Sequence, residues 1–221
     1  MASAVLFSGG LDSAVLLAHE RAAFARVVPI HIRAGLAWED AEALAIARLL
    51  ARPPFTGRIE PLHSLSIDMR DVYPPTHWAI TGQPPAFDTP DEDVYLDGRN
   101  IILIAKAAVL CARLGCDRLA MGPLAGNPFP DATPAFFAAM ALAMSLGLNH
   151  PLEIAAPFAA LHKDAVIERG RDLGVPLELT LSCMNPAAGG VHCGACSKCR
   201  ERQHAFRDAG VEDPTPYLTR T

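Results

Sequence analysis

The feature that most constrains this chain is a glycine-bearing segment between a short apolar run and a helical run. The apolar run 3–7 leads into Ser8-Gly9-Gly10-Leu11-Asp12-Ser13, and residues 14–21 have the composition of a helix. A strand, a loop and a helix in this order form the usual ligand-binding edge of a parallel α/β sheet. Two glycines let phosphates approach the backbone, and the positive end of the helix favours anions. We therefore predict a phosphate-binding loop, whose candidate ligand-binding residues are Phe7, Ser8, Gly9, Gly10, Leu11, Asp12 and Ser13.

Three polar side chains of this loop carry the expected chemistry. The hydroxyls of Ser8 and Ser13 can donate to phosphate oxygens, whereas phosphate would repel a carboxylate that faced it directly. We expect Asp12 to act through Mg²⁺ or to orient backbone amides. The alternative is a simple Gly-Gly turn, in which Asp12 or Ser13 only caps the helix. The chain lacks the G-x-x-x-x-G-K-[ST] pattern, which argues against a kinase or a GTPase.

Strand-like and helical segments alternate along most of the chain. Predicted strands cover residues 3–7, 26–32, 56–65, 118–121 and 153–156, and predicted helices cover 14–21, 38–50, 100–114, 135–146 and 163–173. This alternation predicts a parallel sheet flanked by helices on both faces. Residues 73–93 and 122–134 are predicted loops, and loops this long are usually functional. Because the composition changes after Gly174, we expect a main domain, 1–175, with a small zinc module, 176–221, packed on it.

Four of the six cysteines lie close together near the end of the sequence. They are Cys183, Cys193, Cys196 and Cys199. Their C-x9-C-x2-C-x2-C spacing offers the four soft ligands that tetrahedral Zn²⁺ requires, and a closed set of protein ligands indicates a structural metal. Gly194 suits a knuckle turn whose amides point at sulfur. A four-sulfur iron cluster is the alternative metal, and a redox dithiol would need a thioredoxin-like setting. We expect His192 to be a bystander and Cys111 and Cys116 to act as small hydrophobes.

Composition excludes some classes of function. With 221 residues, 51% of them hydrophobic, the chain can bury one sizeable core. A formal net charge of -5 offers no global attraction to a phosphate backbone, so nucleic acid is an unfavoured partner. No apolar run reaches the roughly 18 residues that a membrane span needs, and no secretory leader is recognisable. We therefore expect a cytoplasmic protein without a membrane partner.

The loop also resembles a known family of sequences. Ser8-Gly9-Gly10-Leu11-Asp12-Ser13 is similar to the S-G-G-x-D-S loop of the PP-loop ATP pyrophosphatases. This resemblance implies an adenine nucleotide alpha-hydrolase-like fold, with a five-stranded parallel sheet between helices, and cleavage of ATP to AMP and pyrophosphate.

A narrower resemblance spans nearly the whole chain. Gly98-Arg99-Asn100, Leu161-His162-Lys163, Ser182-Cys183 and the segment 192–200 follow the loop in the order found in the 7-cyano-7-deazaguanine synthase family. This resemblance implies conversion of 7-carboxy-7-deazaguanine and ammonia to the nitrile through an adenylated intermediate. It also implies ATP with Mg²⁺ as co-substrate, structural zinc on the four cysteines, and a homodimer. The implied catalytic residues are Asp12, Ser13, Lys163 and Arg99, with Lys163 neutralising charge at the α-phosphate or pyrophosphate.

The chain departs from this family's pattern in two places. Residues 129–133 read Phe-Pro-Asp-Ala-Thr where the family shows Y-P-D-C-R, and residues 32–39 keep little of a D-Y-G-Q-R-H-like segment. A divergent PP-loop ligase that adenylates another carboxylate or carbonyl is therefore the alternative function. A zinc-knuckle module that binds RNA or protein is a third, less favoured function, since aromatic residues make up only 6% of the chain.

Overall fold

The computed structural model describes residues 2–57 and 59–219 and has a five-stranded parallel sheet at its centre. The strands are β1 (Ala2–Leu6), β2 (Arg26–Arg33), β3 (His63–Ser66), β4 (Arg118–Ala120) and β5 (Glu153–Ala155). Their order is β3-β2-β1-β4-β5, and every pair is parallel. The chain winds outward from β1 to β3 and then crosses to β4. The carboxyl ends of β1 and β4 therefore flank the switch point where ligands bind in such sheets.

Helices cover both faces of the sheet, as predicted. They are α1 (Leu11–Ala23), α2 (Glu39–Leu50), α3 (Trp78–Thr81), α4 (Arg99–Leu114), α5 (Pro134–Leu148), α6 (Lys163–Asp172) and α7 (Ser197–Asp208). The five predicted helices are confirmed with small shifts of their ends. The short α3 lies inside the predicted loop 73–93, and α7 lies in the cysteine-bearing segment, where no helix was predicted.

The predicted start of the third strand is wrong. That strand was expected from residue 56, but β3 begins at His63, and residues 51–57 form turns. Gly57 has a φ of +82°, which a strand does not accommodate. Arg58, which also fell within the predicted strand, lies outside the described residues. Glu60 N donates to Val27 O at 2.9 Å, so the chain joins the edge of the sheet only beyond these turns.

Two apolar layers lie on opposite faces of the sheet. Neighbouring residues of β1 point to opposite faces, so Ala4 enters one layer and Val5 the other. The first layer includes α1, α2, α6 and α7, with Leu16, Ile46, Val166 and Phe206. The second layer includes α4 and α5, with Ile104 and Phe137. In the part of the chain that the structure describes, no helix has both the length and the hydropathy that a membrane crossing requires.

The C-terminal segment (residues 176–219) is held together by a buried arginine and is bonded to the predicted phosphate loop. Arg202 of α7 is completely buried. Its guanidinium donates to Thr180 Oγ1 at 2.8 Å, to Leu177 O at 2.8 Å and to Thr215 Oγ1 at 2.7 Å. These bonds supply the partners that a buried cation requires. All three partners lie within the segment, so Arg202 holds the segment together. Leu181 N donates to Gly9 O at 2.9 Å, and this bond holds the segment against the predicted phosphate loop.

Candidate active site

A cavity of about 300 Å³ opens at the carboxyl ends of the central strands. Ser8 follows β1 and Met121 follows β4, so the cavity lies at the switch point of the sheet. Its polar and charged lining combines residues from five parts of the chain. These residues are Ser8, Asp12, Ser13, His31, Glu42, Tyr95, Arg99, Asn100, Asn127 and Asp131.

The predicted phosphate loop has the geometry of an anion site. Gly10 is the N-cap of α1, and no side chain makes a capping bond there. Asp12 and Ser13 therefore do not serve as the N-cap. The amides in the first turn of a helix have no partner inside the helix and are available to an anion. Ser13 Oγ donates to Gly10 O at 3.0 Å and lies 3.3 Å from Ser8 Oγ. These contacts hold both hydroxyls at the cavity wall.

The remaining loop residues support the loop from behind. Leu11 is 1% exposed and Phe7 is 2% exposed, and both side chains belong to the apolar core. Gly9 has a φ of +77°, and a Cβ there would lie 3.0 Å from Ile46 Cγ1. Gly9 O accepts from Leu181 N at 2.9 Å. Gly9 and Leu11 do not line the cavity, so the structure places them in the support of the loop.

Lys163 meets the loop through Asp12. Lys163 Nζ lies 3.1 Å from Asp12 Oδ2 and 2.5 Å from Glu201 Oε1. Burial lowers the pKa of the Lys163 ammonium, but the two carboxylates outweigh this effect and raise the pKa above its ordinary value. Asp12 Oδ1 is buried and has no hydrogen-bond partner among the described residues. The Lys163 ammonium, held by two carboxylates, and the Asp12 Oδ1 atom, which has no partner among the described residues, thus lie together at the phosphate loop.

Arg99 begins α4 and reaches the cavity from the opposite side. Its Nε is buried and has no hydrogen-bond partner in residues 2–57 or 59–219. Asp131 accepts from Asn100 N at 3.1 Å and from Asn100 Nδ2 at 3.2 Å, so it fixes the first turn of α4. Among the described residues that line the cavity, Arg99 is the only one with a permanent positive charge. Asp131, which the chain shares with the Y-P-D-C-R pattern of the family, therefore positions the start of α4, where Arg99 lies.

Glu42 and His31 line the cavity but were not predicted. Burial raises the pKa of the Glu42 carboxyl to about 7, although the Arg99 charge acts in the opposite direction. Trp38 Nε1 donates to Glu42 Oε1 at 3.1 Å. His31 Nδ1 lies 3.2 Å from Phe7 O, which can only accept, so Nδ1 carries the proton. Burial lowers the pKa of His31, and its Nε2 is left as a buried acceptor.

Two stacked aromatic rings add an apolar wall. The rings of Tyr95 and Phe129 lie 5.1 Å apart at 30°, and both residues line the cavity. Tyr95 follows a loop that is tied to the C-terminal segment, because Arg200 donates to Phe87 O and Thr89 O at 2.6 Å. Phe129 stands where the family pattern has tyrosine. A planar heterocycle fits beside such rings.

The four predicted metal ligands converge. Their sulfur atoms, from Cys183, Cys193, Cys196 and Cys199, all lie within 4.8 Å of one another. The Cys196 and Cys199 sulfurs are 3.5 Å apart and those of Cys193 and Cys199 are 3.9 Å apart. Tetrahedral coordination with Zn–S bonds of about 2.3 Å puts sulfurs about 3.8 Å apart. The donor set and its spacing therefore fit Zn²⁺.

Backbone around the cysteines completes the metal-binding geometry. Cys193 N and Asn185 N each lie 3.3 Å from Cys183 Sγ, so amides point at sulfur. Gly194 has a φ of +79°, and a Cβ there would lie 1.6 Å from Thr219 O. His192 Nε2 accepts from Ser182 N at 3.0 Å. This bond holds His192 beside the cluster, where the four cysteines are the candidate ligands.

Solved structures place this architecture in a known class. The chain is similar to a predicted subunit of tRNA methyltransferase from Methanocaldococcus jannaschii, with a TM-score of 0.51 and 14% identity over 96% of this chain and 89% of that one. It is also similar to a 4-thiouridine synthetase solved with RNA and bound ATP, with a TM-score of 0.50 and 14% identity over 95% of this chain and 51% of that one. The predicted fold class, a parallel sheet flanked by helices as in the PP-loop ATP pyrophosphatases, is thus confirmed.

Sequence comparison identifies the family within this class. The family model described as queuosine biosynthesis protein QueC matches residues 2–210. A 7-cyano-7-deazaguanine synthase from Magnetococcus marinus is 32% identical over 98% of this chain and 97% of its own length. The chain belongs to the queuosine biosynthesis protein QueC family.

Proposed function

We propose that this chain converts 7-carboxy-7-deazaguanine and ammonia to 7-cyano-7-deazaguanine, with cleavage of ATP to AMP and pyrophosphate. The observation that carries this proposal is the family membership, which extends over almost the whole chain. The cavity supports it, since the anion loop and Arg99 face the same space. An acid substrate and ATP are both anions, and each needs a positive partner.

The first step forms an acyl adenylate. A carboxylate oxygen of the substrate attacks the α-phosphorus of ATP, the bond to the bridging oxygen breaks, and pyrophosphate leaves with the electron pair. We assign the first-turn amides of α1 and the Lys163 ammonium to the negative charge that develops there. We assign Ser8 and Ser13 to the phosphate oxygens and Arg99 to the substrate carboxylate.

Nitrogen enters in the second step. Ammonia attacks the acyl carbon, AMP leaves, and the product is an amide after loss of a proton. The amide oxygen then attacks the α-phosphorus of a second ATP and pyrophosphate leaves. Loss of AMP and two protons from the adenylated amide gives the nitrile. Tyr95 and Phe129 are assigned to stack on the heterocycle, and His31 Nε2 is assigned to accept from one of its N–H groups.

Two metals are part of the proposal. The four cysteines would hold Zn²⁺, whose closed thiolate sphere stabilises the C-terminal segment. Asp12 Oδ1, buried and without a partner among the described residues, fits Mg²⁺ that accompanies ATP and neutralises its phosphates. Oxygen ligands suit Mg²⁺, and sulfur ligands suit Zn²⁺.

The assembly and location of the protein stay predictions. The resemblance implies a homodimer in the cytoplasm. The helix α5 supports self-association, since Leu142 is 62% and Leu146 74% exposed on a helix without charged residues. Light scattering after size-exclusion chromatography measures the mass in solution, and a monomer at micromolar concentration would contradict the dimer. The division into a domain 1–175 and a module 176–221 also remains a proposal.

Incubation of the purified, zinc-loaded protein with 7-carboxy-7-deazaguanine, ammonium, ATP and Mg²⁺ tests the function. We expect the nitrile by mass spectrometry, with AMP and pyrophosphate. Arg99→Gln and an exposed control, Arg113→Gln, separate the cavity cation from other cations of α4. ATP binding without any nitrile would favour the divergent ligase, and tight, salt-sensitive RNA binding without ATP turnover would favour the zinc-knuckle module.

A further inference from the structure

Glu201 links the cysteine cluster to the phosphate loop. It lies on α7, two residues after Cys199. Its Oε1 accepts from Lys163 Nζ at 2.5 Å and its Oε2 accepts from Lys198 Nζ at 2.7 Å. Lys163 in turn lies 3.1 Å from Asp12. The Lys163 side chain is only 12% exposed, so this chain of charges is largely shielded from water and is weakly screened.

The two carboxylates compete for one ammonium. If Lys163 faced Asp12 alone, the pair would neutralise each other, and a cation bound to ATP would have to break that ion pair to use Asp12. Glu201 contributes the shorter contact, 2.5 Å against 3.1 Å. Asp12 Oδ1 has no hydrogen-bond partner among the described residues. This is the state in which a carboxylate can serve a divalent cation.

We propose that Glu201 is a positioning residue for ATP activation: it anchors Lys163 at the phosphate loop and thereby leaves Asp12 free for the Mg²⁺ that accompanies ATP. The inference rests on the proposed function of the loop. The cysteine cluster fixes the start of α7, since Cys196 is its N-cap and Cys199 lies in its first turn. The metal-binding segment thus sets the position of a lysine that contacts the nucleotide site.

The neutral variant Glu201→Gln tests this role, with Glu201→Asp as the conservative variant and the exposed Glu212→Gln as a control. Calorimetric titration with α,β-methylene-ATP, with and without Mg²⁺, measures binding apart from turnover. We expect Glu201→Gln to weaken Mg²⁺-dependent binding about tenfold, because Lys163 then pairs with Asp12 alone. Binding without Mg²⁺ should change less than about twofold. Glu201→Asp should recover part of the loss, and Glu212→Gln should match the wild type.

A double substitution separates positioning from general damage. In a Lys163→Gln background, Glu201→Gln should have no further effect on the Mg²⁺ dependence, because the competition for the ammonium is gone. An equal loss in both backgrounds, or wild-type Mg²⁺ dependence in Glu201→Gln with full zinc content, would overturn the inference. Absence of the nitrile with the wild type would overturn the proposed function instead, and the binding titrations would still decide the role of Glu201.

Discussion

Glu42→Gln is expected to stabilise the protein at neutral and alkaline pH. Burial raises the pKa of Glu42 from an ordinary value of 4.5 to about 7. The folded protein therefore keeps this proton at pH values where the unfolded chain has lost it. Between these two pKa values, the free energy of unfolding of the wild type falls as the pH rises. Glutamine has the same shape, can still accept from Trp38 Nε1, and carries no charge to bury.

The size of the effect follows from the shift. A change from 4.5 to about 7, at about 1.36 kcal/mol per pKa unit, corresponds to about 3 kcal/mol. Relative to the wild type, the stability of Glu42→Gln should thus rise by about 3 kcal/mol between about pH 4 and pH 8. For a chain of this length, that difference raises the unfolding midpoint by roughly 6–12 °C.

Circular dichroism during thermal and urea unfolding at several pH values measures this difference. Glu92→Gln is the matched control, since Glu92 is exposed and its stability difference from the wild type should not depend on pH. The reasoning would be refuted if the difference between Glu42→Gln and the wild type were constant over the range. It would also be refuted if the variant lost stability relative to the wild type as the pH rose.

Three other substitutions test the site. Lys163→Ala should lower kcat about 100-fold with little change in ATP affinity, because its charge matters most as the α-phosphate reacts. Arg99→Gln should raise the KM for the acid substrate about tenfold, because a charge-assisted bond to the carboxylate is lost. Steady-state kinetics measures the change in kcat for Lys163→Ala and the change in KM for Arg99→Gln. Cys196→Ser should lose zinc and unfold the C-terminal segment, since structural zinc contributes on the order of 10 kcal/mol; metal analysis and proteolysis report this loss.

Each of these substitutions has a control in the chain. Lys106→Ala changes an exposed lysine of α4, Arg113→Gln changes an exposed arginine of α4, and Cys111→Ala changes a buried thiol outside the cluster. A change confined to ATP affinity in Lys163→Ala would count against its role in the chemical step. An unchanged KM in Arg99→Gln would remove the carboxylate assignment. A stable, metal-free Cys196→Ser protein would show that the cluster is not a structural zinc site.

The sequence predicted those parts of the fold and site that depend on local pattern. The loop after β1 was predictable because an apolar run, two glycines and a helical run follow one another, and the cysteine cluster was predictable because its spacing suits a tetrahedral metal. The helices followed from apolar periodicity. The third strand was predicted too early, since Gly57 and the preceding prolines form turns that weak alternation did not reveal.

Contacts between distant parts of the chain could not be predicted. Glu201 is separated from Lys163 by 38 positions in the sequence and from Asp12 by many more. No local sequence pattern indicates that these three residues are in contact. Glu42 did leave a signal, because Glu39 and Glu42 occupy the same face of α2 as Ile46 and Leu49, all of them buried. Acidic residues on the apolar stripe of a helix indicate a buried polar site.

Transfer of oxygen from substrate to AMP tests the central claim most directly. The protein would be given 7-carboxy-7-deazaguanine with ¹⁸O in both carboxylate oxygens, together with ammonium, ATP and Mg²⁺. Adenylation of the acid and then of the amide predicts that each nitrile formed is accompanied by two AMP molecules, each with one ¹⁸O in its phosphate, and by unlabelled pyrophosphate. Nitrile formation with unlabelled AMP, or with ¹⁸O in pyrophosphate, would contradict attack on the α-phosphorus and with it the proposed mechanism.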